Sequence, residues 1–226
     1  MNATSFVKAL AEISLPNVFN PYADRCDLFD LPKATSVRRK NLTSYLAAIE
    51  RSGTDIIWMG RDLGYRGGRR TGLALTDESH LNDMVQCYPG ATISKATTGP
   101  VVAERTATEI WAAIRSVPIP PLLWNVFPFH PHEPDQQLTN RKFTSRELAV
   151  VDELNRALIS WLGIRTIVGI GQDAAKYASD FGVTVECIRH PSYGGVRDFR
   201  EGVERVYGVE LHRATTNQGE LFAYRG

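Results

Sequence analysis

The chain has 226 residues, with 26 Lys and Arg against 25 Asp and Glu and a formal net charge of +1 at pH 7. Hydrophobic residues make up 43% and charged residues 23% of the composition, which excludes a disordered chain and provides the core of a single domain. The 3 cysteines are far apart and form no CxxC pair, which argues against a disulfide framework and against zinc or iron–sulfur sites built on four cysteines.

Residues 1–33 are predicted to form an N-terminal helix and then an irregular cover, in which Pro16, Pro21 and Pro32 interrupt regular structure. Downstream, short apolar runs are typical of strands that are buried on both faces of a sheet, and apolar residues at helical spacing predict amphipathic helices. In chain order these elements are helix Ser36–Arg51, strand Asp55–Met59, helix Thr108–Val117, strand Leu122–Phe127, helix Ser145–Leu162, strand Thr166–Ile170, helix Gly171–Phe181, strand Val183–Ile188 and helix Val196–Tyr207.

Strands that alternate with helices predict an α/β sandwich with a mostly parallel sheet. Ligands of such sheets bind beyond the carboxyl ends of the strands, so the residues that follow each strand are the first candidates for a functional site.

The first predicted strand is followed by residues 60–72, GRDLGYRGGRRTG, in which five glycines and four arginines surround Asp62. Glycines allow a backbone to turn tightly and to approach a ligand, and arginines suit phosphate. The alternative is a flexible surface loop with solvated charges. The position directly after a buried strand favours the functional interpretation.

Polar residues also mark the ends of two other predicted strands. Asn125 lies within an apolar run, where its amide needs a hydrogen-bond partner and is suited to recognising a base edge or to capping a turn. His190 follows the last strand and precedes Pro191 and Ser192. We therefore expect the carboxylate of Asp62, the amide of Asn125 and the imidazole of His190 to converge on one crevice.

These segments resemble the motifs of the uracil-DNA glycosylase superfamily. Residues 60–76, GRDLGYRGGRRTGLALT, align without a gap with GQDPYHGPGQAHGLAFS of its family 1, LLWN at 122–125 resembles LLLN, and residues 190–192 resemble its HPS motif. The motifs occur in the family order and extend from Gly60 to Gly195. The resemblance implies a three-layer α/β/α sandwich with a central four-stranded parallel sheet, as a single domain over residues 1–226.

The resemblance also implies roles for individual residues. Asp62 would position the hydrolytic water and stabilise the positive sugar. Asn125 would bind the uracil edge, and His190 would hydrogen-bond uracil O2 as the base leaves. Leu75 replaces the phenylalanine that stacks under the base, and Ser192 would lie near a DNA phosphate.

The chain departs from the family pattern inside the expected pocket. Leu63 replaces the motif proline, which predicts a less rigid loop. Gly64 replaces the tyrosine that blocks the thymine methyl, which predicts a larger pocket beside C5 and a substrate range that extends to other deaminated or bulkier bases. Tyr65 and Arg61 complete the expected substrate-binding set. Leu75 offers apolar contact but no aromatic face, so stacking is expected to be weaker.

The DNA-binding surface is expected on two basic segments, residues 61–70 and 189–200. Gly194 replaces the intercalating leucine of the family, so Tyr193, Val196 or Arg197 would take that role. The expected DNA-contacting residues are Arg66, Arg69, Arg70, Ser192, Tyr193 and Arg197. The basic cluster at residues 38–40 is instead interpreted as a solvated helix face.

The resemblance implies a monofunctional uracil-DNA glycosylase that initiates base excision repair, with no metal and no cofactor. Its partner would be uracil-containing DNA, single- or double-stranded, and we expect a monomer. We expect no membrane contact, since no apolar run approaches roughly 18 residues. The N-terminal residues show no basic leader followed by an apolar segment, which predicts a cytoplasmic location and, in a bacterium, association with the nucleoid.

Three other interpretations remain open at this stage. A protein of the same fold could bind damaged DNA without cutting it. A nucleotide-binding α/β enzyme is suggested by the GxGxxA pattern at residues 169–174, although this pattern opens the third βα unit rather than the first. A metal site is suggested by the HPHE segment at residues 130–133, although a lone HxH without a third ligand is a weak signal.

Overall fold

The computed structural model describes residues 1–211, and residues 212–226, the end of the domain predicted for residues 1–226, lie outside the described residues. Its helices are α1 (Ala3–Ala11), α2 (Ala34–Ser52), α3 (Gly68–Thr71), α4 (Leu81–Cys87), α5 (Arg105–Ile114), α6 (Ser145–Trp161), α7 (Gln172–Ala178) and α8 (Val196–Tyr207). Its strands are β1 (Val18–Phe19), β2 (Ile56–Gly60), β3 (Leu122–Asn125), β4 (His130–Pro131), β5 (Thr166–Ile170) and β6 (Thr184–Ile188).

The central sheet has four strands in the order β3-β2-β5-β6, and all neighbours are parallel. Helices flank this sheet, so the predicted α/β sandwich with a four-stranded parallel sheet is confirmed. All four predicted strands are present, Thr166–Ile170 with the same bounds and the other three with ends that differ by one or two residues. The sequence did not predict the short antiparallel pair of β1 with β4, which joins the N-terminal cover to the chain after β3.

Buried aromatic and amide groups hold the helices against the sheet. Trp58 of β2 is fully buried and packs edge-on against Phe199 of α8, and its indole N–H donates to the hydroxyl of Tyr207 at 2.8 Å. On α6, the Asn155 side chain accepts from the Trp124 indole at 2.9 Å and donates to a backbone carbonyl of the chain after β3. These bonds fix α6 and α8 relative to β2 and β3.

The GxGxxA segment forms the tight connection from β5 to α7. A Cβ on Gly169 would lie 2.6 Å from the Cα of Ala175, so α7 can pack this closely on β5 only because a glycine is there. This close packing accounts for the pattern that had suggested a nucleotide-binding enzyme.

The basic cluster at residues 38–40 is not simply a solvated helix face, since Arg38 is fully buried. Its guanidinium binds both carboxylate oxygens of Asp30. It also donates to the backbone carbonyl of Arg70 at 2.9 Å. The pair therefore connects α2 with the N-terminal cover and with α3.

Arg69 and Arg70 also face the interior, so the expectation that they contact DNA phosphate is wrong. The Arg69 guanidinium lies 3.7 Å from the ring centroid of Phe19. Arg70 lies 4.1 Å from the ring centroid of Phe29 and pairs with Glu78 at 3.2 Å. The single turn of α3 directs both arginines onto the N-terminal cover, where they pack on aromatic faces.

Over residues 1–211, no helix combines the length and apolar character needed to cross a membrane.

Candidate active site

A cavity of about 900 Å³ opens at the carboxyl edge of the central sheet. It is lined by residues that end or follow the four strands, namely Asp62 after β2, Asn125 in β3, Gly171 after β5 and His190 after β6. From β2 the chain continues to β3 at one edge of the sheet, and from β5 it continues to β6 at the other edge. The cavity therefore lies at the topological switch point between β2 and β5, where parallel sheets bind ligands. The structure thus brings together the three polar residues expected to converge.

Most of the predicted site residues line this cavity. They are Arg61, Asp62, Gly64, Leu75, Asn125, His190, Ser192 and Tyr193. The other predicted residues lie elsewhere: Arg69 and Arg70 are buried, Arg66 and Arg197 are exposed, and Tyr65 is half-buried beside Arg66. Arg197 also pairs with Glu201 of its own helix at 2.7 Å.

Asp62 is held on one side and faces the cavity on the other. The Arg61 Nε–H donates to Asp62 Oδ2 at 2.5 Å, and the same guanidinium reaches Asp173 at 3.5 Å. Asp173 is itself paired with Lys142 at 2.7 Å. Burial raises the pKa of Asp62, and the bond from Arg61 opposes this rise. The bond from Arg61 therefore favours the ionised form of Asp62, which is the form that acts as an acceptor.

Packing anchors the loop that carries Asp62. Leu63, which replaces the motif proline, is buried, and its backbone N–H donates to the carbonyl of Phe129 at 3.1 Å. A Cβ on Gly68 would lie 2.3 Å from the Leu63 side chain, so that side chain fills the space over the glycine. The buried leucine supplies an anchor at the position where the family motif has a rigid proline.

Asn125 presents a buried amide oxygen that nothing among the described residues satisfies. The residue is 1% exposed, and its Oδ1 has no hydrogen-bond partner within residues 1–211. The amide lies over Gly60, where a Cβ would come within 2.4 Å of Oδ1, and Leu75 approaches the same glycine. An unsatisfied buried acceptor costs about 1–3 kcal/mol. A ligand N–H would recover this cost once the amide turns Oδ1 from Gly60 toward the cavity.

The contacts of His190 favour the tautomer that carries its proton on Nε2, with Nδ1 bound by the backbone N–H and lying 2.7 Å from the hydroxyl of Ser192. The backbone N–H of Ser192 donates to His190 Nδ1 at 3.1 Å, and a backbone N–H can only donate, so Nδ1 is an acceptor. Burial, Arg189 and Arg61 lower the pKa of His190. The ring can therefore donate one hydrogen bond from Nε2 without carrying a charge.

The loop after β6 also carries an exposed aromatic residue at the rim of the cavity. Tyr193 is 97% exposed and has a φ of 50°, in the left-handed region. A left-handed non-glycine residue is uncommon and often marks a functional loop. Of the three candidates for an intercalating residue, Tyr193 alone lines the cavity rim, since Val196 and Arg197 are absent from its lining.

Several cavity residues were not predicted from the sequence. They are Glu104, Thr106, Asn140, Gln172, Asp173, Cys187 and Arg189, with backbone and small residues between them. Asp173 lies within the GxGxxA pattern, and Arg189 lies beside the HPS motif. Their positions after predicted strands are therefore the sequence signal that could have identified both as cavity residues. Glu104 lies outside every motif, in a stretch without a predicted element.

The HPHE segment does not form a metal site. His130 is buried, with Arg69 donating to its Nδ1 at 3.0 Å and its Nε2 facing the carbonyl of Thr139 at 2.8 Å. The ring of His132 faces the carbonyl of Glu133 instead. Within residues 1–211 no group of three or more His, Cys, Asp or Glu side chains is arranged to hold a metal ion.

Comparison with known proteins gives a fold but no family by sequence. No protein-family model and no curated protein matches the chain. The chain is similar to the crystal structure of wild-type SMUG2 from Pedobacter heparinus, at 15% identity and a TM-score of 0.60, over 92% of this chain and 96% of that chain. SMUG2 is a member of the uracil-DNA glycosylase family. The three-layer α/β arrangement is therefore a uracil-DNA glycosylase-like fold.

Proposed function

We propose that this chain is a DNA glycosylase that hydrolyses the N-glycosidic bond of uracil in DNA and so initiates base excision repair. The observation that carries the proposal is the buried, unsatisfied Oδ1 of Asn125 in a cavity that also presents Asp62 and His190. The likeness of the fold to SMUG2 supports the same function.

An amide in the pocket complements the edge of uracil. Uracil carries a donor at N3 beside an acceptor at O4, and the Asn125 side chain offers an acceptor beside a donor. Binding of uracil would satisfy the orphaned Oδ1. Cytosine presents the opposite pattern, an acceptor at N3 beside an amino group, so the fixed amide would favour uracil.

Cleavage of the glycosidic bond separates charge, and the two catalytic groups stabilise opposite ends of it. The sugar becomes positive as the bond breaks, and the Asp62 carboxylate offsets that charge and orients the attacking water. The base leaves as an anion whose O2 accepts the Nε2–H of His190. Water adds to C1′, one of its protons passes through Asp62 to solvent, and the uracil anion takes up a proton from solvent. The products are an abasic site and free uracil.

The rim residues suit a DNA strand from which the base has been extruded. Arg66, in the loop after β2, and Arg189, which lines the cavity, are exposed and would supply cations for DNA phosphates. Tyr193 projects from the rim, where its ring can fill the space that the extruded base leaves in the stack.

We further infer that the enzyme works as a single-domain monomer in the cytoplasm, without a cofactor.

Base release from a uracil-containing oligonucleotide, measured in EDTA, tests the proposal. We expect release by the wild type and a loss of about 10²-fold or more in Asp62→Asn and in His190→Ala. The matched control is Asp180→Asn, which changes an exposed aspartate that does not line the cavity and should leave release unchanged.

The other outcomes separate the alternatives. Unchanged release by Asp62→Asn would contradict the role of that carboxylate and leave the activity in place. Salt-sensitive binding of uracil-containing DNA without any release would contradict the proposal and favour a damage-binding protein of the same fold.

A further inference from the structure

Asn140 is an exposed residue that lines the cavity from the chain segment between β4 and α6. Its Oδ1 accepts the backbone N–H of Tyr65, in the loop after β2, at 3.1 Å. The same oxygen lies 3.1 Å from Nε2 of His130. The side chain therefore joins the segment before α6 to the loop that carries Asp62.

The buried pair of Arg69 and His130 fixes the direction in which this amide faces. A guanidinium can only donate, so the bond of 3.0 Å from Arg69 makes His130 Nδ1 an acceptor and leaves the proton of the neutral ring on Nε2. Burial and Arg69 lower the pKa of His130 to about 4, so the ring is neutral at neutral pH. Its Nε2–H faces the carbonyl of Thr139 at 2.8 Å and the Oδ1 of Asn140. An amide turned by half a rotation would place its own donor against this N–H and against that of Tyr65.

The amide nitrogen of Asn140 is the part of the side chain that is left for a ligand. Nδ2 makes no hydrogen bond to any group of residues 1–211. The two cations that follow in the sequence are both engaged, Arg141 with Glu147 at 2.6 Å and Lys142 with Asp173 at 2.7 Å. The uncommitted side-chain donor of this short segment is therefore a neutral amide with a fixed orientation.

We propose that Asn140 binds a phosphate oxygen of the DNA strand at the rim of the cavity. This inference rests on the proposed function, which supplies DNA as the ligand. A phosphodiester offers acceptors only, and asparagine side chains are among the groups that donate to it and fix the register of a protein on the strand. An exposed donor at the rim suits the strand backbone, which stays outside the pocket, whereas the buried amide of Asn125 suits the extruded base.

This contact differs in kind from the contacts of the rim arginines. Arg66 and Arg189 would release counterions from the DNA, so their contribution to affinity falls as salt rises, whereas a neutral amide releases none. Asn140 would thus add affinity and orientation that depend little on salt. Arg69, which does not reach the phosphates itself, would act on DNA binding through His130 and Asn140.

Equilibrium binding and single-turnover base release on one uracil-containing oligonucleotide test the proposal, with 2′-fluoro-deoxyuridine in the binding measurements to slow cleavage. In Asn140→Ala, we expect the dissociation constant to rise about 10-fold, with a smaller loss in the rate at saturating enzyme. The dependence of the logarithm of the dissociation constant on the logarithm of salt concentration should keep its wild-type slope, because no charge is removed. Arg66→Gln should reduce that slope by about 1.

Asn140→Asp separates the donor from the acceptor of the same side chain. It keeps an oxygen for Tyr65 and His130 but turns a carboxylate oxygen toward the phosphate, so it should bind DNA more weakly than Asn140→Ala. The matched controls are Asn82→Ala and Asn82→Asp, at an exposed asparagine of α4 outside the cavity, and both should bind as the wild type does.

The outcomes separate this contact from the function on which it rests. Binding by Asn140→Asp as tight as by the wild type would show that the Oδ1 contacts alone matter and would overturn the proposal. A loss confined to the rate at saturation, or unchanged dissociation constants in both Asn140 variants, would also overturn it. A wild type that binds DNA without base release, with the variants weakened as expected, would overturn the proposed glycosylase and leave the contact in place. Absence of DNA binding by the wild type would overturn both.

Discussion

Asp30 and Asp62 are both largely buried and both bind an arginine, but their surroundings differ. The Asp30 carboxylate receives both arms of the Arg38 guanidinium and also accepts the backbone N–H of Cys26 at 2.8 Å. Neither side chain of that pair is exposed. Asp62 accepts one short bond from Arg61 at Oδ2 and a long one of 3.5 Å at Oδ1, and the carboxylate lines the cavity. The Arg61 side chain is 31% exposed.

The comparison shows how one combination of residues serves two purposes. A carboxylate whose two oxygens are both bound inside the protein, as in Asp30, holds α2 against the N-terminal cover and is unavailable for chemistry. A carboxylate with free acceptor positions, as in Asp62, can bind a water or a developing cation. The same distinction separates Arg69 and Arg70, which face inward, from Arg61 and Arg66, which face the cavity or solvent.

The largest effect is expected from breaking the interior pair. Asp30→Asn leaves the Arg38 charge buried without a carboxylate, so we expect the free energy of unfolding to fall by about 3–5 kcal/mol in guanidinium denaturation. Asp62→Asn should change that free energy by less than about 1 kcal/mol, because burial already disfavours the charged form of Asp62. Similar losses of stability in the two variants would remove the distinction between the pairs.

The buried pair of His130 and Arg69 also predicts a pH dependence of stability. Burial and Arg69 lower the pKa of His130 from 6.5 to about 4. Between these pH values the unfolded chain binds a proton that the folded chain does not. The contribution of His130 to the free energy of unfolding is therefore fully present above pH 6.5 and is lost as the pH falls. The expected loss from this one group is about 3 kcal/mol by pH 4.

The contribution of His130 is measured as a difference between variants. His130→Gln should lose this part of the slope of unfolding free energy against pH, whereas His132→Gln, at the half-buried neighbour, should keep it. An identical slope in His130→Gln and in the wild type between pH 4 and 6.5 would contradict the prediction.

The sequence predicted the sheet and the strand-end residues well, for a physical reason. A strand buried on both faces must be a continuous apolar run, so a polar residue at its end stands out, as Asp62, Asn125 and His190 do. Long amphipathic helices such as α6 and α8 carry enough periodic apolar residues to be located in the same way.

The remaining features depend on contacts between distant parts of the chain. The inward direction of Arg69 is set by the Phe19 ring, which is 50 residues earlier, and Gly and Arg residues alone do not reveal which arginines of a loop are buried. The two-residue pair of β1 with β4 is too short to leave a pattern. Glu104 lines the cavity and Gly67 leaves space for its carboxylate, a relation that only the folded structure shows.

The smallest effect is expected from Arg61, which separates its role as a positioning residue from that of Asp62. The active form needs Asp62 ionised and His190 neutral. Arg61 lowers the pKa of both groups, so its removal raises both. In Arg61→Met, the acid limb of kcat/KM for base release should therefore move to higher pH, because a proton on either group removes the active form.

At a pH well above that limb, Arg61→Met should retain release within about 10-fold of the wild type, a far smaller loss than in Asp62→Asn. Arg61→Lys keeps the charge and should leave the limb near its wild-type position. A limb that stays in place in Arg61→Met, or moves to lower pH, would show that the arginine does not keep Asp62 ionised. The cavity pair would then resemble the structural pair of Asp30 and Arg38 more closely than its open geometry indicates.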